Sequence, residues 1–192
     1  MADTGFSVPP DKAARFASLY GRGPDGELRL MDSASTSPVV RSVSVFSGGG
    51  GLVSTIDDYG RFAQMLADSG EFDGHRILSR RAVDAMMTNH LSPDQLQELP
   101  LLAILGLGGT GQGLGFGYGG AVVLDPRPLG NVGAVGEYSW GGAASTIFWV
   151  DRTNELVVVF MTQVLPPGPE LIRDRLRSLT YEAIAQPQST SN

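Results

Sequence analysis

Apolar side chains recur at helical spacing in four stretches of the chain. In "STIDDYGRFAQML", Ile56, Tyr59, Phe62 and Leu66 fall on one helical face. Ser54 stands as the N-cap, Asp57 three residues later completes a capping box, and Gly70 ends the element. Ser79 caps a second helix that turns Val83, Met86 and Met87 inward, and Ser92-Pro93 opens a third. In "PELIRDRLRSLTYEAI", Ile172, Leu176, Leu179 and Ala183 lie at i, i+4, i+7 and i+11. That stripe predicts an amphipathic helix packed by its apolar face onto a sheet. The sheet is announced by "STIFWVDRTNELVVVFMTQ", where two apolar runs flank the turn residues of "DRTNE" and predict a β-hairpin. The unbroken "LVVVFM" predicts a strand buried on both faces. Nearer the N-terminus, Pro9-Pro10 starts a helical turn, followed by two strands joined through Gly23, Pro24, Asp25 and Gly26. "DSASTSPVVRSVSVF" reads as a surface loop, and "LGLGGTGQGLGFGYGG" as a loop leading into a strand around "YGGAVVLD".

These elements predict an α/β chain of the α+β type. It has a partial antiparallel sheet, a C-terminal helix packed on it and a small helical lobe over about residues 55–98. Sheet and terminal helix occupy about 115–185 of a single domain spanning 1–186, and the polar tail 187–192 is expected to be disordered.

Composition narrows the chemistry. The net charge of −6 argues against nucleic acid and anionic membranes as partners. Arg173, Arg175 and Arg177 read as a solvated helix face. No run reaches the roughly 18 apolar residues of a membrane span, and the first residues lack the blocks of a signal peptide. A cytoplasmic location is therefore the expectation. With no cysteine and only His75 and His90 as imidazoles, neither a metal nor another cofactor is expected.

Candidate motifs mostly reduce to structure. "GLGGTG" (106–111) has the letters of a dinucleotide fingerprint, but "QGLGFGYGG" follows where a helix is needed to receive the pyrophosphate. Asp57 and Asp58 lie in a first helical turn and read as capping groups rather than an acid–base pair. The nucleophile search fails: no Ser sits in Gly-x-Ser-x-Gly, and none precedes a Lys by three, Lys12 being the sole lysine.

"SGGGGLVSTIDDYGRFAQML", "GEFDGHRILS" and "EYSWGGAASTIFWVDRTNELVVVFMTQ" together resemble the C-terminal half of the serine β-lactamase-like family. That group comprises class C β-lactamases, penicillin-binding proteins and family VIII carboxylesterases. The resemblance runs from about Thr4 to Ala185, and "YSWGG" is closest to the esterase-like branch. It implies a β-lactamase/transpeptidase-like fold and acyl-serine hydrolysis of a small-molecule ester or amide. The family carries Lys-Thr-Gly, His-x-Gly or Trp-Gly-Gly on a sheet edge beside the active site, and Trp140-Gly141-Gly142 matches the last form. By that resemblance Tyr138, Trp140, Gly141 and Gly142 contact substrate, and the Ala143 N–H is one of two oxyanion donors. The family's Ser-x-x-Lys and Tyr-x-Asn motifs have no counterpart in these residues. The resemblance thus implies a chain without catalytic residues, lacking the family's N-terminal strands and nucleophile helix and inactive alone. Three readings follow: an enzyme fragment, a non-catalytic binding protein, or a subunit completed by a complementary N-terminal chain or by self-association.

Overall fold

The computed structural model describes residues 1–40, 43–97, 112–130, 132–165 and 172–185. Five antiparallel strands form the central sheet in chain order: β5 (Leu114–Phe116), β6 (Ala121–Val123), β7 (Tyr138–Gly141), β8 (Ile147–Asp151) and β9 (Leu156–Phe160). Period-2 alternation divides β8 between two layers. Phe148 and Val150 meet helix α1 (Ile56–Ala67) through Ala63, Met65 and Leu66. Trp149 and Asp151 face the opposite helix, α4 (Ile172–Ala185), through Arg177 and Tyr181. The predicted hairpin is β8–β9. Its turn is held by the buried Asp151, whose carboxylate accepts from the Thr153 and Asn154 amides at 3.0 Å.

Two smaller sheets flank this one. The predicted N-terminal hairpin is β1 (Leu19–Arg22) with β2 (Leu28–Asp32), and β1 also pairs in parallel with β10 (Val164–Leu165). A two-residue hairpin, β3 (Glu71–Phe72) with β4 (His75–Arg76), turns on Asp73-Gly74, both at positive φ. Helices α2 (Arg80–Met86) and α3 (Pro93–Gln97) follow, with Ser79 and Ser92 capping as expected.

Several expectations are corrected. The N-cap of α1 is Thr55, not Ser54, because the Thr55 hydroxyl is the one that accepts from the Asp58 amide. Asp58 does more than complement a helix dipole. Its buried carboxylate accepts from Ala2 N, Asp3 N and Thr4 Oγ1, tying residues 2–4 onto α1. Burial opposes its charge, yet these donors and the nearby N-terminal ammonium hold its pKa below the usual carboxylate value. The strand buried on both faces is β8, while β9 is half-buried along its length because it lies at the end of the sheet. The glycine-rich stretch before β6 is a strand in part, namely β5, while "GLGGTG" lies outside the described residues.

The largest departure is at α4. Its apolar stripe does not cover the sheet: Ile172 is 52% exposed, Leu179 50%, and Ala183 is exposed as well. Instead Arg173 is 1% exposed, and Arg177 and Tyr181 follow it at i+4 and i+8 on the inward face. Only Arg175 of the arginine trio is solvated. Arg177 forms a double-pronged pair with Glu137 at 2.5 Å, and the Tyr181 hydroxyl lies 2.7 Å from both Glu137 Oε2 and Asp151 Oδ2. One hydroxyl carries one proton, so the two carboxylate oxygens compete for it. Burial pushes Glu137 up from the ordinary carboxylate value, against the pull of Arg177 and Tyr181. Among the described residues no helix is long and apolar enough to cross a membrane.

Two outcomes are expected. A raised Glu137 pKa means the folded chain holds that proton more tightly than the unfolded one. Its stabilisation is complete below the unfolded value and is lost as pH rises through the folded value. Denaturant unfolding from pH 4 to 8 should show this decline. Glu137→Gln should flatten that decline, so that its deficit, about 3 kcal/mol at pH 4 on the scale for breaking a buried pair, narrows as pH rises. Asp58 has the opposite sign, its contribution present above the unfolded carboxylate value and lost as pH falls. Asp58→Ala should free residues 2–4 and speed limited proteolysis near the N-terminus at pH 7.

Candidate active site

Strand β7 runs through the middle of the sheet, yet half of one flank has no strand partner among the described residues. β6 pairs with β7 only at Val122–Tyr138 and Ala121–Ser139, whereas β8 accompanies β7 to Gly141. From Trp140 onward, the β6 side of β7 has no strand partner among the described residues. The triplet Trp140-Gly141-Gly142 therefore occupies an interior strand whose β6-side edge carries no strand among the described residues, with Gly141 itself buried.

Alternation decides what each residue of the motif presents. Tyr138 and Trp140 point to the α1 face, Ser139 and Gly141 to the α4 face. Trp140 is partly buried, with its ring edge-on to Phe116 of β5 at 5.3 Å and 79°. Tyr138 is 2% exposed, and its hydroxyl donates to the Tyr118 carbonyl at 2.7 Å. Burial, assisted by Tyr59, pushes the Tyr138 pKa up to about 12. Tyr138 is thus a core residue beneath the site, and the open flank is formed by Trp140 and the residues after it. Gly120 gives Tyr138 its room, since a Cβ there would lie 2.5–2.8 Å from the phenol ring and oxygen.

Beyond β7 the backbone reverses through 142–145, with Ser145 N donating to Gly142 O at 3.1 Å. Ala143, second in this turn, is exposed, and its N–H donates to no acceptor among the described residues. Ser145 holds a left-handed backbone at φ 70°, and its buried hydroxyl donates to the Val164 carbonyl at 3.0 Å. Val164 N returns a bond to Ala144 O at 3.2 Å. An exposed amide that donates to nothing on a turn held at both ends has the geometry to donate to a bound oxygen.

Other candidates separate from this site. His75 and His90 are exposed and spend ring nitrogens on the Asp73 and Ala85 carbonyls, His90 stacking on Tyr118. No cluster of three metal-ligating side chains occurs among the described residues. An open groove of about 550 Å³ lies beside Gly136, at the other end of β7 from the triplet. Its charged lining, Asp84 and Arg152, is already paired at 3.0 Å. Two contributors were not singled out from the sequence. Phe116 sits in a stretch of glycines, and Glu137 precedes the motif as one acid among many. The i, i+4, i+8 spacing of Arg173, Arg177 and Tyr181 was the available signal for the helix that backs the site.

Comparison with known proteins identifies the fold and the family. Protein Rv1367c of Mycobacterium tuberculosis is 38% identical over 169 residues, covering 86% of this chain and 40% of the relative. Esterase EstB of Burkholderia gladioli is 28% identical over 186 residues, covering 88% of this chain and 42% of EstB. The chain thus spans less than half the length of the curated relatives it matches. The fold matches unliganded simvastatin synthase (LovD) from Aspergillus terreus with a TM-score of 0.79 at 24% identity, over 97% of this chain and 47% of LovD. It also matches EstCE1, a hydrolase with promiscuous acyltransferase activity, with a TM-score of 0.70 at 21% identity, over 95% of this chain and 46% of EstCE1. The Beta-lactamase family model matches residues 1–182, and the chain belongs to that family.

Proposed function

We propose that this chain is the substrate-side part of a serine acyl hydrolase or acyltransferase of the β-lactamase fold. The observation that carries the reading is the open flank of β7 at Trp140-Gly141, continued by the unengaged Ala143 amide. An ester or amide laid along that flank meets backbone where the glycines present no side chain, with Trp140 as an apolar wall. A serine hydroxyl from outside these residues attacks the carbonyl carbon and passes its proton to a neighbouring base. The carbonyl oxygen takes up the negative charge, and the Ala143 N–H donates to it. Collapse of this intermediate expels the alcohol or amine, and water or a second alcohol then releases the acyl group. Neutral esters are favoured, because the triplet offers an indole where Lys-Thr-Gly members offer an ammonium for a substrate carboxylate. The esterase and acyltransferase relatives support the same class.

The lack of Ser-x-x-Lys and Tyr-x-Asn in the 192 residues makes the chain inactive by itself in this reading. Two surfaces favour completion by complementary chain. The outer edge of β9 has no strand partner among the described residues, and Ile172, Leu179 and Ile184 lie about half exposed along α4. An unpaired edge beside an apolar stripe suits added strands and a packed helix, from a nucleophile-bearing segment or a second copy.

The test is an assay with p-nitrophenyl acetate, p-nitrophenyl butyrate and a chromogenic cephalosporin, paired with intact mass after a fluorophosphonate probe. The isolated chain should give neither turnover nor adduct. Supplied with a nucleophile-bearing segment of the same family, it should hydrolyse the esters faster than the cephalosporin. In that complex Ala143→Pro, which deletes the N–H at a turn position proline tolerates, should lower kcat about 100-fold. A serine adduct on the isolated chain, or full turnover by the Ala143→Pro complex, would overturn the assignment.

A further inference from the structure

Arg173 is an unusual residue to bury, and two of its donors are directed at one turn. It projects from the first turn of α4 beneath the 142–145 turn at 1% exposure. One terminal guanidinium nitrogen, Nη2, donates to the Gly142 carbonyl, and Nε donates to the Ser145 carbonyl at 3.4 Å. These two carbonyls bracket Ala143 and Ala144. The fit continues on the strand, where a Cβ on Gly141 would lie 3.1 Å from Arg173 Nη1 and from the Thr146 carbonyl. Gly141 therefore admits the guanidinium against the backbone as well as keeping its own flank bare.

We propose that Arg173 is a positioning residue that sets the direction of the Ala143 N–H by gripping the Gly142 carbonyl of the same peptide unit and the Ser145 carbonyl at the far end of the turn. This rests on the reading of Ala143 as an oxyanion donor and extends it to the residue that holds the donor in place. A turn that points an amide outward, without an acceptor, is free to rotate its peptide planes. Arg173 opposes that rotation because the Gly142 carbonyl it holds shares a peptide plane with the Ala143 N–H, and the Ser145 carbonyl it also holds fixes the plane that leaves the turn. Its planar fork reaches two acceptors at once, which a lysine ammonium on a single stem does less well. The same grip accounts for Ser145 at φ 70°, a conformation that non-glycine residues keep when their surroundings hold them there.

The test uses the chain alone, labelled with ¹⁵N, and compares wild type with Arg173→Met and Arg173→Lys. Methionine fills much of the volume without donating, and lysine keeps the charge without the fork. Amide exchange at Ser145 and Val164, whose N–H groups close the turn, should quicken about tenfold or more in Arg173→Met. Exchange at Trp149 and Val158, in the β8–β9 ladder, should stay unchanged. The Ala143 amide resonance should move in both variants, and lysine should restore part of the protection. Wild-type protection at Ser145 together with an unmoved Ala143 resonance in Arg173→Met would overturn the proposal. Should that variant fail to fold, the same result in Arg173→Lys would do so. The readout needs no turnover, so a failed clamp is seen here, and a failed acyl-transfer assignment in the assays above.

Discussion

The grip of α4 on β7 is the constraint from which the geometry of the site follows. Arg177 and Tyr181 hold Glu137 at the residue entering β7, and Arg173 holds the turn that leaves it. The strand is thereby fixed at both ends by one helix, through polar contacts in place of an apolar stripe. Such an arrangement is costly if any member is lost, because each leaves a buried charge or acceptor without its partner. In exchange it is directional. A layer of leucines would hold helix and sheet together but would tolerate a sliding register, whereas a double-pronged Arg177–Glu137 pair allows one.

The two faces of the sheet are accordingly built on different physics. On the α1 side, Phe148, Val150 and Tyr138 pack with Ala63, Met65 and Leu66 in a conventional apolar core, with the aromatic rings meeting edge-on. Trp140 continues this face past the end of β6 and becomes the wall of the open flank. On the α4 side, Trp149 and Asp151 meet Arg177 and Tyr181. Strand β7 therefore has an apolar surface on its α1 side and a hydrogen-bonded anchor on its α4 side. This division suits a site that must present a fixed amide beside a hydrophobic contact.

The exposed stripe on α4 and the free edge of β9 fit the same picture. The chain covers less than half of the relatives it matches, and these surfaces are apolar or unpaired. Helix α4 buries its polar row against the sheet and turns Ile172, Leu179 and Ala183 outward, the reverse of what the amphipathic pattern alone requires. The pattern fixes that two faces exist. Which one meets the sheet depends on the partners available on each side.

Much of this protein was legible from its residues. The β8–β9 hairpin, the N-terminal hairpin, α1 to within a residue of its N-cap, α2 with its Ser79 cap, and the Trp140-Gly141-Gly142 motif all follow from short-range rules: alternation, capping hydroxyls, turn residues and a contiguous triplet. These depend on neighbours in the chain, so the sequence alone determined them. The inward face of α4, the partial burial of β9 and the role of Asp58 depend on groups 28 or more residues away, or on a sheet edge that no local window contains. The same holds for the core position of Tyr138, beside a motif whose other members line an open flank. Only the tertiary structure decided these, because burial and pairing belong to the assembled layers: a residue's spacing states what it can contact, and the packing selects which contact is made.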